Sequence, residues 1–163
     1  MRRTLLIVAM LFTGALAAIL LHAAMTKGDS VFSWKRPENL GVRDGRLQPC
    51  KPSPNCVCSQ ADPADREHYI APIAFRGSAR EAIAAVRAAV EAMPDTRLIG
   101  ADSNYLYVEF RTRRMRFVDD VEFVSDPAAG VIHVRSASRL GRRDFGVNRE
   151  RVEALRRAIE RRA

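Results

Sequence analysis

The feature that most constrains this chain is a charge-free run from Thr4 to Met25. It consists of Leu, Ile, Val, Ala, Met and Phe, broken by Thr13, Gly14 and His22. A helix needs about 20 apolar residues to cross a bilayer, whereas the apolar core of a cleaved signal peptide is about 7–15 residues long. His22-Ala23-Ala24 before Met25 is a poor cleavage site, Ala15-Leu16-Ala17 lies inside the run, and no cysteine near its end invites lipid attachment. Residues 1–25 are therefore expected to form an uncleaved signal anchor, a single transmembrane helix, in preference to a cleaved signal. Arg2 and Arg3 precede it, and the positive-inside rule keeps that end cytoplasmic. The expected location is a bacterial inner membrane, crossed once, with residues 26–163 in the periplasm.

That remainder suffices for one domain. The whole chain carries a formal charge of +8. Most of the excess is local: from Arg135 to Ala163, ten arginines face Asp144, Glu150, Glu153 and Glu160. A basic block points to nucleic acid or an anionic surface. Nucleic acid is a poor partner outside the cytoplasm, so anionic lipid headgroups are the better candidate, with a solvated basic helix face as the competing account.

Residues 26–48 are polar, contain Gly28, Pro37, Gly41 and Gly45, and are expected to be a linker, with Phe32 and Trp34 near the membrane–water interface. Residues 49–163 then form the domain. The stretch 49–68 reads as an irregular loop holding Cys50, Cys56 and Cys58. Outside the cytoplasm such thiols oxidise, so one small disulfide with one thiol left over is expected. A metal site of the three cysteines with His68 is the alternative, but it lacks recognisable zinc-ligand spacing.

A first strand is expected at 69–75. Ser78-Ala79-Arg80-Glu81 is a capping box opening a helix that runs to about Met93, with Ala79, Ile83, Val86, Val90 and Met93 as its apolar stripe. Strands are predicted at 96–101, 105–112, 116–125 and 131–137, separated by Asp102-Ser103-Asn104 and by Asp126-Pro127-Ala128-Ala129-Gly130. Asn148 is positioned to cap a last helix reaching about Arg161, with Val152, Leu155 and Ile159 buried. The fold class is α+β: an antiparallel sheet of about five strands with two helices on one face.

Two groups of residues invite a functional reading. Asp119, Asp120 and Glu122 form an acidic cluster, but neighbours on a strand point to opposite faces. Only Asp120 and Glu122 share a face, with Glu109, Arg111, His133 and Arg135; the competing account is a cross-strand ladder of solvated ion pairs. The second group is Arg135, Ser136, Ser138, Arg139, Asn148 and Arg149. Arginines, a glycine-rich turn and a helix N-terminus together suit an anion. Against this stands an internal lock in which Asp144 is itself the anion, paired with Arg135 or Arg139, and the lock is preferred.

Three stretches resemble a family known as a domain of unknown function, DUF1499. They are Cys50-Lys51-Pro52-Ser53-Pro54-Asn55-Cys56-Val57, then Phe117-Val118-Asp119-Asp120-Val121-Glu122-Phe123, then Arg135-Ser136-Ala137-Ser138-Arg139 leading into Gly141, Asp144, Gly146, Val147, Asn148 and Arg149. The resemblance spans roughly residues 40–160 and implies an exported or membrane-anchored protein, with no established reaction. It also implies a Cys50–Cys56 disulfide, since the family pattern keeps both. Cys58 stands where that pattern more often has a small hydroxyl residue.

No nucleophile elbow, P-loop, HExxH or dinucleotide fingerprint is present. The expected function is therefore non-enzymatic: a membrane-tethered envelope domain that binds an anionic lipid headgroup, an envelope polymer or an envelope protein, without cofactor or metal. The alternative is a metal-assisted or acid/base hydrolase using Asp119, Asp120 and His133.

Overall fold

The computed structural model describes residues 35–112 and 116–161. The expectations for Thr4–Met25, Phe32 and Trp34 lie outside the described residues, and among those described no helix is long and apolar enough to cross a membrane. The elements are β1 (Cys56–Cys58), β2 (Ile73–Ala74), α1 (Ala79–Glu91), β3 (Thr96–Ala101), β4 (Tyr105–Arg111), β5 (Val118–Asp126), β6 (Val131–Ser138) and α2 (Val147–Glu160). The fold is α+β, with one antiparallel six-stranded sheet in the order β1-β6-β5-β4-β3; β2 also pairs with β6.

Alternation decides which face is apolar. In β4, Leu106, Val108 and Phe110 point one way; the register joins Leu106 to Phe123, Val108 to Val121 and Phe123 to Val134. Partners directly opposite share a face, so these residues make one continuous apolar surface. Both helices cover it. The capping box at Ser78 and Glu81 forms and starts α1, which buries Ala82, Ile83, Val86, Ala89 and Val90. From α2, Val152, Leu155 and Ile159 are each 0% exposed. Fully burying a side chain of this kind stabilises by about 1.5–3 kcal/mol, and this layer is the core of the domain.

Three expectations are corrected. The sheet has six strands where about five were expected, because the 49–68 stretch contains β1, whose Val57 pairs with Ser136 and joins the core. The strand expected at 69–75 contracts to Ile73–Ala74; Tyr69 meets Cys58 only in an isolated parallel bridge, and Pro72 has no N–H to extend the ladder. Third, residues 35–48 are no linker: they belong to the same compact unit as the sheet. Arg43 and Arg46 exchange backbone hydrogen bonds across a tight turn, Leu47 is buried, and its N–H donates to Gln60 Oε1.

Candidate functional site

On the face away from the helices, the register sets Tyr107 opposite Glu122, Glu109 opposite Asp120, and Glu122 opposite Arg135. The expected ladder of solvated pairs is buried instead: Glu109 and Asp120 are 2% exposed and Glu122 is 0% exposed. The covering comes from residues 35–48. Arg36 donates through Nε and Nη2 to Glu109, at 3.1 and 2.6 Å, and its guanidinium lies 5.6 Å over the Tyr107 ring. The Gly41 N–H donates to Glu122 at 2.6 Å.

Arg139 sits at the centre of this network, just past the end of β6. Its Nε donates to both oxygens of Asp120, at 2.9 and 3.1 Å. Its Nη2 donates to Asp120 at 2.6 Å, to Glu109 at 2.6 Å and to the Tyr107 hydroxyl at 3.0 Å. Tyr107 in turn donates to Asp120 at 2.5 Å, and Tyr105 to Glu122 at 2.8 Å. Burial would raise the Glu109 carboxyl, but hydrogen bonds from Arg139 and Arg36 hold it below the usual glutamate range. Burial and the adjoining carboxylates push both tyrosines far up, so both hydroxyls stay protonated and each donates to a carboxylate. Burial opposes the Arg139 charge, and the hydrogen bonds to Asp120 and Glu109 more than offset it.

Beside this network opens a cleft of about 400 Å³. Its basic lining is Lys35, Arg36, Lys51, Arg135 and Arg139; its acidic lining is Glu38 and Asp120. Most of these charges are spoken for within the protein, and Lys35 pairs with Glu38 at the rim. Arg135 is different. It is 8% exposed, its one side-chain partner among the described residues is Glu122, met by Nη1 in a long 3.4 Å ion pair, and its buried Nε has no partner there. A buried donor left unmade costs about 1–3 kcal/mol. Lys51, on the loop between the disulfide cysteines, carries a charge without a partner among the described residues and faces the same cleft.

The anion site drawn from Arg135, Ser136, Ser138, Arg139, Asn148 and Arg149 does not assemble as one site. Arg135 and Arg139 belong to the polar face. Ser136 and Asn148 are buried on the helix face, where Ser136 Oγ donates to Asn148 Oδ1 at 2.5 Å. Asn148 Nδ2 donates to Asn55 O, Ser138 Oγ and Asp144 Oδ2, at 2.8–3.0 Å. Arg149 lies apart, donating to the carbonyls of Arg66 and Glu67. The expected lock is likewise corrected in its partners. Asp144 pairs with neither Arg135 nor Arg139; its carboxylate accepts from the backbone N–H groups of Gly146 and Asn148. It thus occupies the start of α2, where an external anion would have gone. The cap position itself is Gly146, left-handed at φ +86°, with Asn148 inside the first turn.

Asp119, Asp120 and His133 do not converge. Asp119 points to the helix face and pairs with Arg151 at 2.5 Å, while Arg151 also lies 4.8 Å over the Phe110 ring. His133 is opposite Val124 and hydrogen-bonds Ser59 Oγ at 3.2 Å, and burial lowers its pKa. Cys50 and Cys56 form the disulfide, which removes two thiols from the metal alternative; Cys58 is free and buried. His68 is engaged by Asp65 at 2.7 Å and by the Ser53 carbonyl at 3.3 Å.

The sequence gives no site role to Arg36, Gly41, Lys51, Ser59 or Arg151. For Arg151 a signal existed. It lies three residues after Asn148 and one before Val152, so helical spacing places it beside the buried stripe, where an arginine needs a buried anion. The segment carrying Arg36 offered none, because nothing local shows that a polar, glycine-containing stretch folds back onto a sheet.

The three stretches singled out in the sequence meet at the cleft: Cys56 from the first, Asp120 from the second, Arg135 and Arg139 from the third. No curated protein matches the chain. A family described as "Protein of unknown function (DUF1499)" matches residues 46–159, more than half of the chain, and the chain belongs to that family.

Proposed function

We propose that this domain is a non-enzymatic binding module, held at the outer face of a bacterial inner membrane by residues 1–25, whose cleft takes a phosphate or carboxylate group of an envelope component. The observation that carries the reading is Arg135: a buried guanidinium whose Nε has no partner among the described residues and whose one ion pair there, to Glu122, is long, lining an open cleft in which its arginine neighbours are more closely paired. Such forks grip phosphate or carboxylate oxygens in pairs, and Lys51 adds a second charge at the rim. The dispersal of Asp119, Asp120 and His133 over two faces of the sheet favours binding over acid/base hydrolysis.

Thermal melts with inorganic phosphate, glycerol 3-phosphate and acetate, against chloride at matched ionic strength, test the reading. Ligand at about 100 times its Kd adds about 2.7 kcal/mol to stability, so phosphate or acetate should raise the melting temperature by several degrees. The rise should disappear in Arg135→Gln and shrink in Lys51→Ala, whose exposed position leaves the fold intact. Equal shifts with chloride, or shifts unchanged in Lys51→Ala and Arg135→Gln, would reject the cleft as an anion site.

A further inference from the structure

The turn into α2 presents a surface that folding alone does not explain. Between Gly141 at φ +81° and Gly146 at φ +86° stands Phe145, itself left-handed at φ +56° and 92% exposed. A bulky residue in that backbone region is strained, and such strain collects at functional positions. Behind Phe145 lies an apolar groove of about 190 Å³, lined in part by Phe117, Leu140 and Val147, the last 38% exposed. Arg142 and Arg143 are exposed and have no partner among the described residues. The one acid of the turn, Asp144, is turned inward onto Gly146 and Asn148. The turn thus offers an aromatic tip, an apolar groove and two exposed guanidinium groups without a partner among the described residues.

We propose that the 140–147 turn docks onto an anionic bilayer, Phe145 entering the boundary between headgroups and acyl chains while Arg142 and Arg143 meet lipid phosphates. Aromatic rings settle at that depth, and basic side chains near the surface are drawn by anionic lipid. A protein partner fits less well. A stable protein interface needs about 800 Å² from each side, and the exposed apolar side chains of this turn are two, Phe145 and Val147. The proposal does not depend on the cleft, from which it draws no residue.

The test uses the full chain carrying Trp34→Phe and Phe145→Trp, so that its sole tryptophan reports from the turn. Proteoliposomes are made with brominated acyl chains, either with phosphatidylglycerol or with phosphatidylcholine alone. Blue-shifted emission and at least twofold stronger quenching are expected with phosphatidylglycerol, falling to the phosphatidylcholine level when Arg142→Glu and Arg143→Glu are added. Arg135→Gln should leave the quenching unchanged, which separates this proposal from the cleft reading. Water-like emission in both vesicles would overturn it. So would quenching indifferent to the charge reversal, or a photocrosslinker at position 145 that captures a protein in native envelopes while vesicles give no quenching.

Discussion

Arg139 straddles Asp120 with Nε and Nη2 while Nη2 also reaches Glu109, so removing its guanidinium takes a partner from two buried carboxylates at once. Glu109 keeps Arg36 and Arg111, but among the described residues Asp120 is left with Tyr107 alone. Breaking a buried pair by deleting one partner costs about 3–5 kcal/mol. Arg139→Ala and Asp120→Ala should each destabilise by that order in urea melts, and the double variant should fall short of their sum by about 0.5–3 kcal/mol. Additive losses would mean that the two side chains are not coupled. Tyr107→Phe removes one donor from the same carboxylate and should cost about 1–3 kcal/mol. Alternation in β4 and β5 was enough to put Glu109, Asp120 and Glu122 on one face. Their burial was not legible, since the residues that cover them are distant in sequence: Arg36 lies 73 positions before Glu109, and Gly41 lies 81 before Glu122.

Among the elements, β4, β6 and both helices were legible because each repeats its own period, and β3 and β5 because turn residues such as Asp102-Ser103-Asn104 and Asp126-Pro127 bound them. β1 was not. Three residues cannot show a period, and the prolines and cysteines around it read as loop; its strand character is imposed by pairing with Ala137, Ser136 and Arg135. The Cys50–Cys56 disulfide anchors the start of this strand and holds the loop carrying Lys51 over the cleft. Closing so short a ring stabilises by only about 2 kcal/mol in chain-entropy terms. Reduction should therefore lower stability by about that amount while the central strands keep their amide protection. Hydrogen exchange on reduced and oxidised protein checks this: faster exchange confined to residues 50–58 is expected, and global loss of protection would contradict it.

Across the described residues one sheet separates a mainly apolar face, which also holds the Asp119–Arg151 pair, from a charged one, and three titrating groups outside that apolar layer make stability depend on pH. The Glu109 carboxyl is held below its ordinary 4.5. Its contribution is complete above that value and is lost as the pH falls through the lower, folded one. Two histidines act in adjoining windows. For His133, burial depresses the pKa from 6.5 and Asp126 opposes only in part, so its contribution is present above 6.5 and lost as the pH falls below. For His68, burial would lower the pKa, but hydrogen bonds to Asp65 and the Ser53 carbonyl raise it overall above 6.5. Its contribution is complete below 6.5 and is lost as the pH rises through the folded value. Stability should therefore peak near pH 6.5, decline gently on either side, and fall further below about pH 4.5 as Glu109 takes up a proton. His133→Asn should remove the shoulder just below the peak and His68→Asn the decline just above it, while neither moves that further fall in acid. Urea midpoints measured from about pH 4 to about pH 8 check all three profiles. A wild-type curve that rises steadily to the alkaline end would show that the His68–Asp65 pair does not hold the imidazolium.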